Sequence, residues 1–467
     1  MKYFEEISAI PRASYKEEKI AEYLCDFARL RGLEYYRDEA NNVLINAPAT
    51  KGREGEPALL LQGHTDMVCE KNDGVEHDFD TDGIDLYEEN GWVKARGTTL
   101  GADNGVAVAV MLYVLDGALS SHPALQCLFT ASEEVGLDGV KALDYSKIFA
   151  RHMINMDGAD DAVIIAGCSG GQRSEVLLDV KTEKIEPKYV ATLRLRGLYG
   201  GHSGEDINKG RANANALMAR ALYSLLKDFD VRIIEIHGGS KDNAIPRECK
   251  AIMALDDVCA VRDAVSAIES TLKDGLCRDD ADFSLTLEEV KNDGCVCALA
   301  REDASRVLTL MHVIKSGVLE MSNDIEGLVE WSRNLGIVDC DASGAVITFS
   351  TRSSFESRID ASADEIDDLA HALGAKTHHH SRYPGWSYAP TSNVRDEYVR
   401  AYEALFGKKP HIETIHAGLE CGFVSEAVPD MDIICCGAVV LDLHSPDERL
   451  NKASFERLFT VIKKMIE

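Results

Sequence analysis

Short, continuously apolar segments alternate with helical patterns through residues 57–158, and this alternation limits the folds open to the chain. The segments PALLLQGH, LQCLFTASEEVG and RHMINMDG each have the pattern of a buried strand. The segment GADNGVAVAVMLYVL between the first two is apolar on nearly all sides, as expected of a helix packed inside a domain. Buried strands separated by helices are typical of a largely parallel sheet. We therefore predict an α/β domain with a mostly parallel sheet.

The pattern changes after residue 187, which indicates a second domain. KYVATLRLRGLYGG alternates apolar and polar residues like a half-exposed antiparallel strand, and GRANANALMARALYSLL has the spacing of an amphipathic helix. After SRYPGWSYAP the α/β pattern resumes with a helix, NVRDEYVRAYEALFG, and a strand, DMDIICCGA. We predict one domain made of residues 1–187 and 389–467, interrupted by an inserted α+β domain at 188–388.

Composition narrows the class of protein further. The chain has 467 residues, too many for one ordinary core, and its formal net charge is −29. An acidic surface of this kind repels phosphate backbones, so we expect no nucleic-acid partner. Thirteen cysteines without a C-x-x-C pair favour the reducing cytoplasm over a disulfide framework. The N-terminal segment carries charges every few residues, so we expect neither a signal peptide nor a membrane span.

The first apolar strand ends in His64-Thr65-Asp66, and this pair suggests metal chemistry. In an extended segment, residues i and i+2 point to the same side, so Asp66 can accept a hydrogen bond from one nitrogen of His64. The other imidazole nitrogen is then free to bind a metal. Taken alone, a His-x-Asp pair is more often an ordinary hydrogen-bonded pair than a metal site.

Other acidic and imidazole groups occupy similar positions. Glu133-Glu134 and Asp157 close the next two apolar strands, Asp103 begins a helix where it would also serve as an N-cap, and His444 follows a C-terminal apolar run. Ligands of parallel sheets bind beyond the carboxyl ends of the strands. Two histidines with several carboxylates suit zinc or a similar divalent ion, and two such ions could share one carboxylate. The acid that does not ligate could transfer the proton.

These segments resemble a known family. The motifs HTD, GADNG, SEEVG, NMDG and LHSP resemble the co-catalytic dizinc metallopeptidases, which include glutamate carboxypeptidases, aminoacylases and dipeptidases. IPRASYKEEKIAEYL, HTDMVCEKN, GTTLGADNG, YPGW and HAGLECG are similar to the aminoacyl-histidine (Xaa-His or beta-alanyl-histidine) dipeptidases within that family. The resemblance covers essentially the whole chain. It implies a catalytic domain with a dinuclear metal site, an inserted lid domain, and a cytoplasmic homodimer that binds small peptides.

The resemblance also implies the metal ligands. His64 and Asp157 would hold one zinc ion, Glu134 and His444 the other, and Asp103 would bridge them. Each subunit would therefore bind two Zn²⁺, for which Mn²⁺ or Co²⁺ could substitute.

The remaining roles follow from the same resemblance. Asp66 would orient His64, and Glu133 would be the general base and acid for a metal-bound hydroxide. His202, in GLYGGHSGEDINKGRANA, would stabilise the oxyanion. The substrate-binding residues would be Asn243, Arg352 and Gly418.

The predicted function is metal-dependent hydrolysis of dipeptides, with either Xaa-His or broad specificity. A tripeptidase, or an amidohydrolase of N-acyl amino acids with the same dizinc site, is the alternative. A non-catalytic protein on this fold would lack a ligand or the base, and all seven positions are present. The run His378-His379-His380 lies outside the matched motifs and is predicted to be a surface cluster.

Overall fold

A computed structural model describes residues 1–292, 294–323 and 325–467. The α-helices of these residues are α1 (Lys2–Ser8), α2 (Glu18–Arg31), α3 (Ala102–Tyr113), α4 (Asp138–Ala142), α5 (Ala214–Asp228), α6 (Val258–Lys273), α7 (Arg301–Val313), α8 (Glu356–Ala372), α9 (Asn393–Phe406), α10 (Glu420–Ala427) and α11 (Lys452–Ile466).

The strands of the first half of the chain are β1 (Glu34–Arg37), β2 (Val43–Ala47), β3 (Leu59–His64), β4 (Leu86–Glu89), β5 (Trp92–Ala95), β6 (Leu125–Thr130), β7 (His152–Gly158), β8 (Val163–Cys168), β9 (Gly170–Leu178), β10 (Thr182–Ile185), β11 (Tyr189–Arg196), β12 (Gly201–His202) and β13 (Arg232–Gly238). Those of the second half are β14 (Ala244–Ile245), β15 (Cys249–Leu255), β16 (Ser284–Lys291), β17 (Val296–Leu299), β18 (Gly317–Met321), β19 (Val329–Asp341), β20 (Gly344–Ser353), β21 (Lys376–Tyr383), β22 (His411–Ile415), β23 (Asp432–Gly437), β24 (Val440–Leu441) and β25 (Arg449–Asn451).

The chain divides into two compact units. Unit 1 comprises Met1–Cys168, Gly385–Thr414 and Leu419–Glu467, and unit 2 comprises Ser169–Pro384 and Ile415–Gly418. Unit 2 begins at the start of β9 because that strand pairs with β20 and β21. The inserted domain predicted at 188–388 begins where the sequence starts to alternate apolar and polar residues, and these limits do not include β9.

Unit 1 is built on an eight-stranded sheet in the order β1-β2-β6-β3-β7-β23-β8-β22. The central strands β6, β3, β7 and β23 run parallel, and antiparallel pairing adds β2 beside β6 and β8 beside β23. Helix α3 is buried from Asn104 to Leu112, as predicted for a helix that is apolar on all sides. The parallel centre and its packed helices confirm the predicted α/β class.

Unit 2 is built on an antiparallel sheet in the order β16-β11-β15-β13-β19-β20-β9-β21, with β18 pairing to β19. The helices α5, α6, α7 and α8 contribute apolar side chains to one core with these strands. This mixture agrees with the α+β pattern of the sequence. Among the described residues, every helix is too short or too polar to cross a lipid bilayer.

Candidate metal centre

Three parallel strands of unit 1 deliver polar side chains to one edge of the sheet. His64 is the last residue of β3, Glu133 and Glu134 follow β6, and Asp157 lies near the end of β7. Because β3 pairs in parallel with both β6 and β7, these ends meet. Gly63 permits a close approach of β3 to α3, since a Cβ there would lie 2.3 Å from the Cβ of Ala107.

The imidazoles of His64 and His444 lie on opposite oxygens of Asp103. His64 Nε2 is 3.0 Å from Asp103 Oδ1 and 3.5 Å from Asp157 Oδ1. His444 Nε2 is 3.3 Å from Asp103 Oδ2 and 3.2 Å from Glu134 Oε2. The five side chains thus form two donor groups that share Asp103, and the ligand atoms within each group lie within 4.8 Å of one another.

Asp66 connects the first histidine to the loop after β6. Its Oδ1 lies 3.3 Å from His64 Nδ1 and accepts the backbone N–H of Glu133 at 3.0 Å. Its Oδ2 accepts the hydroxyl of Ser14 at 2.7 Å and the backbone N–H of Glu134 at 3.2 Å. A fully buried carboxylate therefore fixes both the ring of His64 and the backbone of the two glutamates.

Three residues that the sequence analysis did not single out support this arrangement. Glu448 accepts the backbone N–H groups of residues 100, 101 and 102 at 2.8, 3.0 and 2.8 Å, and so holds the loop that precedes Asp103. The buried guanidinium of Arg12 donates to the carbonyls of residues 65 and 101 at 2.9 and 2.6 Å. Asn104 donates its amide to Asp157 Oδ1 at 2.7 Å.

The electrostatics of the cluster favour cations. Burial lowers the pKa of His64, but the carboxylates of Asp103, Asp157 and Asp66 raise it well above the usual range. Asp103 and Glu134 raise the pKa of His444 to about 10. Both imidazoles therefore lie in a strongly negative potential, which attracts a proton or a metal ion in the same way.

Glu133 and its neighbour Glu420 have environments that favour the neutral acid. Burial raises the pKa of Glu133 well above its usual range, His64 opposes this, and the charges of Asp157, Glu420 and Glu134 add to it. Burial also raises the pKa of Glu420 to about 7, although this carboxylate accepts hydrogen bonds from Thr130 and Gln62. A carboxyl group that titrates closer to neutrality is suited to proton transfer.

The donor set fits a pair of divalent ions. Asp103, Glu133, Glu134 and Asp157 bring four carboxyl groups to one site, and the Oε1 atom of Glu134 is buried without a hydrogen-bond partner among the described residues. A buried carboxylate oxygen without a partner is costly. Two histidines with carboxylates are the ligands that zinc and similar ions prefer.

The other predicted site residues, His202, Asn243, Arg352 and Gly418, belong to unit 2. Arg352 donates from Nη1 to the hydroxyl of Tyr383 at 2.7 Å, and a Cβ at Gly418 would lie 2.9 Å from the ring of Tyr383. The carbonyl of Asn243 accepts the backbone N–H of residue 203 at 2.8 Å, next to His202. Arg352 and Gly418 are thus joined through Tyr383, and Asn243 lies beside His202.

His416 lies in the same part of unit 2. It is buried, and its Nε2 is 2.7 Å from the hydroxyl oxygen of Ser332. Burial, followed by electrostatic interaction with Arg352 and His202, lowers the pKa of His416 to about 3. The imidazole is therefore neutral, and Ser332 and His416 form a fixed polar pair near two of the predicted site residues, Arg352 and His202.

The model of peptidase family M20/M25/M40 matches residues 60–467 of the chain. The chain belongs to this family. The matched residues include every predicted ligand and the predicted base of the metal centre, all of which lie in unit 1.

Relatives of this M20/M25/M40 peptidase extend over its whole length. It is 37% identical to the cytosol non-specific dipeptidase of Escherichia coli (strain K12), over 99% of this chain and 96% of the relative. Its structure is similar to that of the aminoacylhistidine dipeptidase of Vibrio alginolyticus, with a TM-score of 0.93, 34% identity, and coverage of 100% and 95%. A tripeptidase from Staphylococcus aureus, with a TM-score of 0.55 and 16% identity over 100% and 96%, shares the fold.

The residues that sequence reasoning missed in this family member have a common property. Glu448, Arg12 and Tyr383 act on backbone groups or on other side chains, and their partners are distant in the chain. Glu420 lies within the motif HAGLECG. The sequence signal that could have identified it is an acidic residue at the first position of an apolar helix.

Proposed function

We propose that this chain is a zinc-dependent dipeptidase. The two full-length relatives described above support this proposal through their names, one a non-specific dipeptidase and the other an aminoacylhistidine dipeptidase. The observation that carries it is the convergence of two histidines and four carboxyl groups at one edge of the unit 1 sheet. Both Xaa-His and broad specificity agree with these relatives.

The proposed ligands are divided between two ions. His64 and Asp157 would hold one, Glu134 and His444 the other, and Asp103 would contact both through its two oxygens. Bound divalent ions would polarise the scissile carbonyl and make water more acidic. Zn²⁺ is the proposed metal, with Mn²⁺ or Co²⁺ as substitutes, because nitrogen and oxygen ligands of this kind accept each of them.

Glu133 is the proposed general base and acid. Its carboxylate would take a proton from the attacking water and then give that proton to the leaving amine. The raised pKa of Glu133 supports this role, since a carboxyl group of higher proton affinity accepts a proton more readily. Asp66 would keep Glu133 in place by accepting a hydrogen bond from the backbone N–H of Glu133, and it would fix the tautomer of His64.

The proposed substrate contacts come from unit 2. His202 would donate a hydrogen bond to the oxyanion, and burial lowers its pKa, which keeps it neutral near pH 7. Arg352 would bind the substrate carboxylate, because its Nε is buried without a hydrogen-bond partner among the described residues. Asn243 and the backbone at Gly418 would hold the rest of the peptide. The inserted domain predicted at 188–388 keeps its proposed role as a substrate-binding lid.

A substrate panel tests the proposal. Free dipeptides, including beta-alanyl-histidine, are compared with tripeptides and with N-acyl amino acids at equal concentrations of the zinc-loaded enzyme. We expect free dipeptides to give the highest kcat/KM. Preference for a blocked amine would favour the amidohydrolase alternative, and preference for tripeptides would favour the tripeptidase.

Two further properties are proposed on separate grounds. A cytoplasmic location is supported by the cysteine pattern and by the name of the cytosol dipeptidase relative. A homodimer is supported by the family resemblance alone, and light scattering during size-exclusion chromatography tests it through the mass of the particle.

A further inference from the structure

A cluster of two histidines and a glutamate lies on strands β9 and β21 of unit 2, and none of these three side chains has a role in the proposed function. These strands are the ones by which the chain enters and leaves the main segment of the unit, since β9 begins at Gly170 and β21 ends at Tyr383. They are antiparallel neighbours, and His378 lies directly opposite Glu175.

The strand alternation separates the three consecutive histidines. His379 contacts Ser174 and, at 2.9 Å, Asp367 of helix α8, so it points to the face that α8 covers. His378 and His380 point to the opposite face, as residues i and i+2 of a strand must. The two imidazoles lie face to face there, with ring centroids 5.1 Å apart and an interplanar angle of 21°.

Each of these imidazoles lies on a different oxygen of the same carboxylate. His378 Nδ1 is 3.5 Å from Glu175 Oε2, and His380 Nε2 is 3.6 Å from Glu175 Oε1. One ligand atom from each of the three side chains lies within 4.8 Å of the others. Ligand atoms bound to one tetrahedral zinc ion at about 2.0–2.1 Å lie roughly 3.3 Å apart, so small side-chain movements would complete a site.

We propose that Glu175, His378 and His380 form a separate metal site that binds a divalent first-row transition ion such as Zn²⁺. Two imidazoles and one carboxylate are ligands for Zn²⁺, Ni²⁺ and Cu²⁺, whereas Mg²⁺ and Ca²⁺ prefer oxygen ligands alone. Three protein ligands leave coordination positions open to solvent. The site therefore holds its ion more weakly than an enclosed site with a full set of protein ligands.

A bound ion at this position would connect β9 and β21, the two strands at one edge of the sheet. Strand β21 is an edge strand and pairs only with β9 among the described residues, so its attachment depends on one ladder and on the packing of α8. An ion bound by β9 and β21 together would favour the paired form, because binding to the folded state alone shifts the equilibrium toward it. The site thus makes the stability of this edge depend on the concentration of free transition metal.

The test compares the wild-type protein with the double variant His378→Ala/His380→Ala and with Glu175→Gln. Each is dialysed to equilibrium at the same free Zn²⁺ concentration, and bound zinc is counted per chain by elemental analysis. We expect the wild type to hold one more Zn²⁺ than the double variant, and Glu175→Gln to bind that ion at least about tenfold more weakly. Cu²⁺ added to the zinc-loaded wild type should give an electron paramagnetic resonance signal with coupling to imidazole nitrogen that exceeds the signal of the double variant by one bound copper ion.

His237→Ala is the matched control. His237 lies on the same sheet between the carboxylates of Glu235 and Asp339, but no second histidine completes that group among the described residues. This variant should keep the additional zinc ion and the copper signal. Equal zinc content in the wild type and the double variant would overturn the proposal and leave the cluster as a set of ion pairs. Loss of the ion in the control as well would overturn it too.

Discussion

The Asp66 carboxylate accepts a hydrogen bond from the backbone N–H of Glu133 at 3.0 Å. The same oxygen lies 3.3 Å from His64 Nδ1. One buried side chain therefore determines the position of a proposed metal ligand and that of the proposed base. The same carboxylate therefore holds both the proposed metal site and the proposed proton-transfer group, although Asp66 and Glu133 are 67 positions apart in the chain.

Asp66→Asn should weaken metal binding and catalysis together. The amide retains the shape of the side chain but replaces one acceptor oxygen by a donor. In the Oδ1 position it removes the acceptor of both His64 Nδ1 and the Glu133 N–H, and in the Oδ2 position it removes that of the Glu134 N–H. We expect metal affinity to fall by about 10–100-fold, with a parallel loss of kcat. Metal titration followed by steady-state kinetics measures both. Ser14→Ala removes one hydrogen bond to Asp66 without a change at His64 and should have a smaller effect; unaltered metal affinity in Asp66→Asn would contradict the account.

Glu133→Gln should separate metal binding from turnover. The glutamine fills the same space and cannot accept the proton, so we expect kcat to fall by about 10²–10⁴-fold while the metal content stays at the wild-type level. Elemental analysis and kinetics on the same sample distinguish the two effects. Activity within a small factor of the wild type would remove Glu133 from the mechanism, and loss of both ions would make it a ligand.

Glu448→Gln should destabilise the loop that precedes Asp103. The two carboxylate oxygens of Glu448 accept four backbone N–H groups, two on each oxygen, and an amide nitrogen in place of one oxygen leaves two of them without an acceptor. We expect a loss of about 1–3 kcal/mol in the free energy of unfolding. Thermal or denaturant unfolding measures it, with Asp447→Asn, at the exposed neighbouring position, as the control. If both variants unfold like the wild type, Glu448 is not the support proposed here.

The sequence was sufficient to predict much of unit 1. Apolar strands that end in His64, Glu133 and Asp157 have local patterns, and parallel pairing brings such ends together whatever the rest of the fold. The place of Asp103 in this group was implied by the family resemblance, because the sequence by itself shows only that this residue begins a helix that is apolar on nearly all sides. These residues could be found because each is adjacent to the strong hydrophobic pattern of its own element.

Interactions between distant segments could not be predicted in the same way. Glu448 accepts hydrogen bonds from backbone N–H groups about 350 residues away in the chain. Because nearly every residue has a backbone N–H, no sequence pattern identifies these donors. Strand β21 escaped prediction because its sequence, KTHHHSRY, has few apolar residues, so the three histidines were placed in a surface cluster after a helix. The start of unit 2 at β9 likewise depends on pairing partners that lie late in the sequence.

His416 should make the stability of unit 2 depend on pH. In the folded protein its pKa is lowered to about 3, because it is buried and lies near Arg352 and His202. Below its ordinary pKa of 6.5 the unfolded chain binds a proton there that the folded protein does not, so stability falls as pH falls from 6.5 toward 3. The slope from this group is at most about 1.4 kcal/mol per pH unit.

His416→Gln should reduce that slope, because glutamine does not titrate. Denaturant unfolding at several pH values between 4 and 7 measures the change, with the exposed residue His411 replaced by Gln as the control. A slope identical to that of the wild type would show that His416 is protonated equally in both states.

Arg352→Lys should impair recognition of the substrate carboxylate. Lysine keeps the positive charge but loses the planar pair of donors that binds a carboxylate through two hydrogen bonds. We expect KM for dipeptides to rise about tenfold or more, with a smaller change for dipeptide amides that lack the carboxylate. Arg358→Lys, on helix α8 beside Glu320, serves as the control. An equal loss on dipeptides and their amides would argue against carboxylate binding by Arg352.

Anomalous diffraction from crystals of the zinc-loaded protein, recorded on both sides of the zinc absorption edge, tests the central claim most directly. We predict two peaks that share Asp103, one bound by His64 and Asp157 and the other by Glu134 and His444. Zinc found elsewhere in unit 1, or no zinc at these five side chains in a protein that hydrolyses dipeptides, would contradict the account.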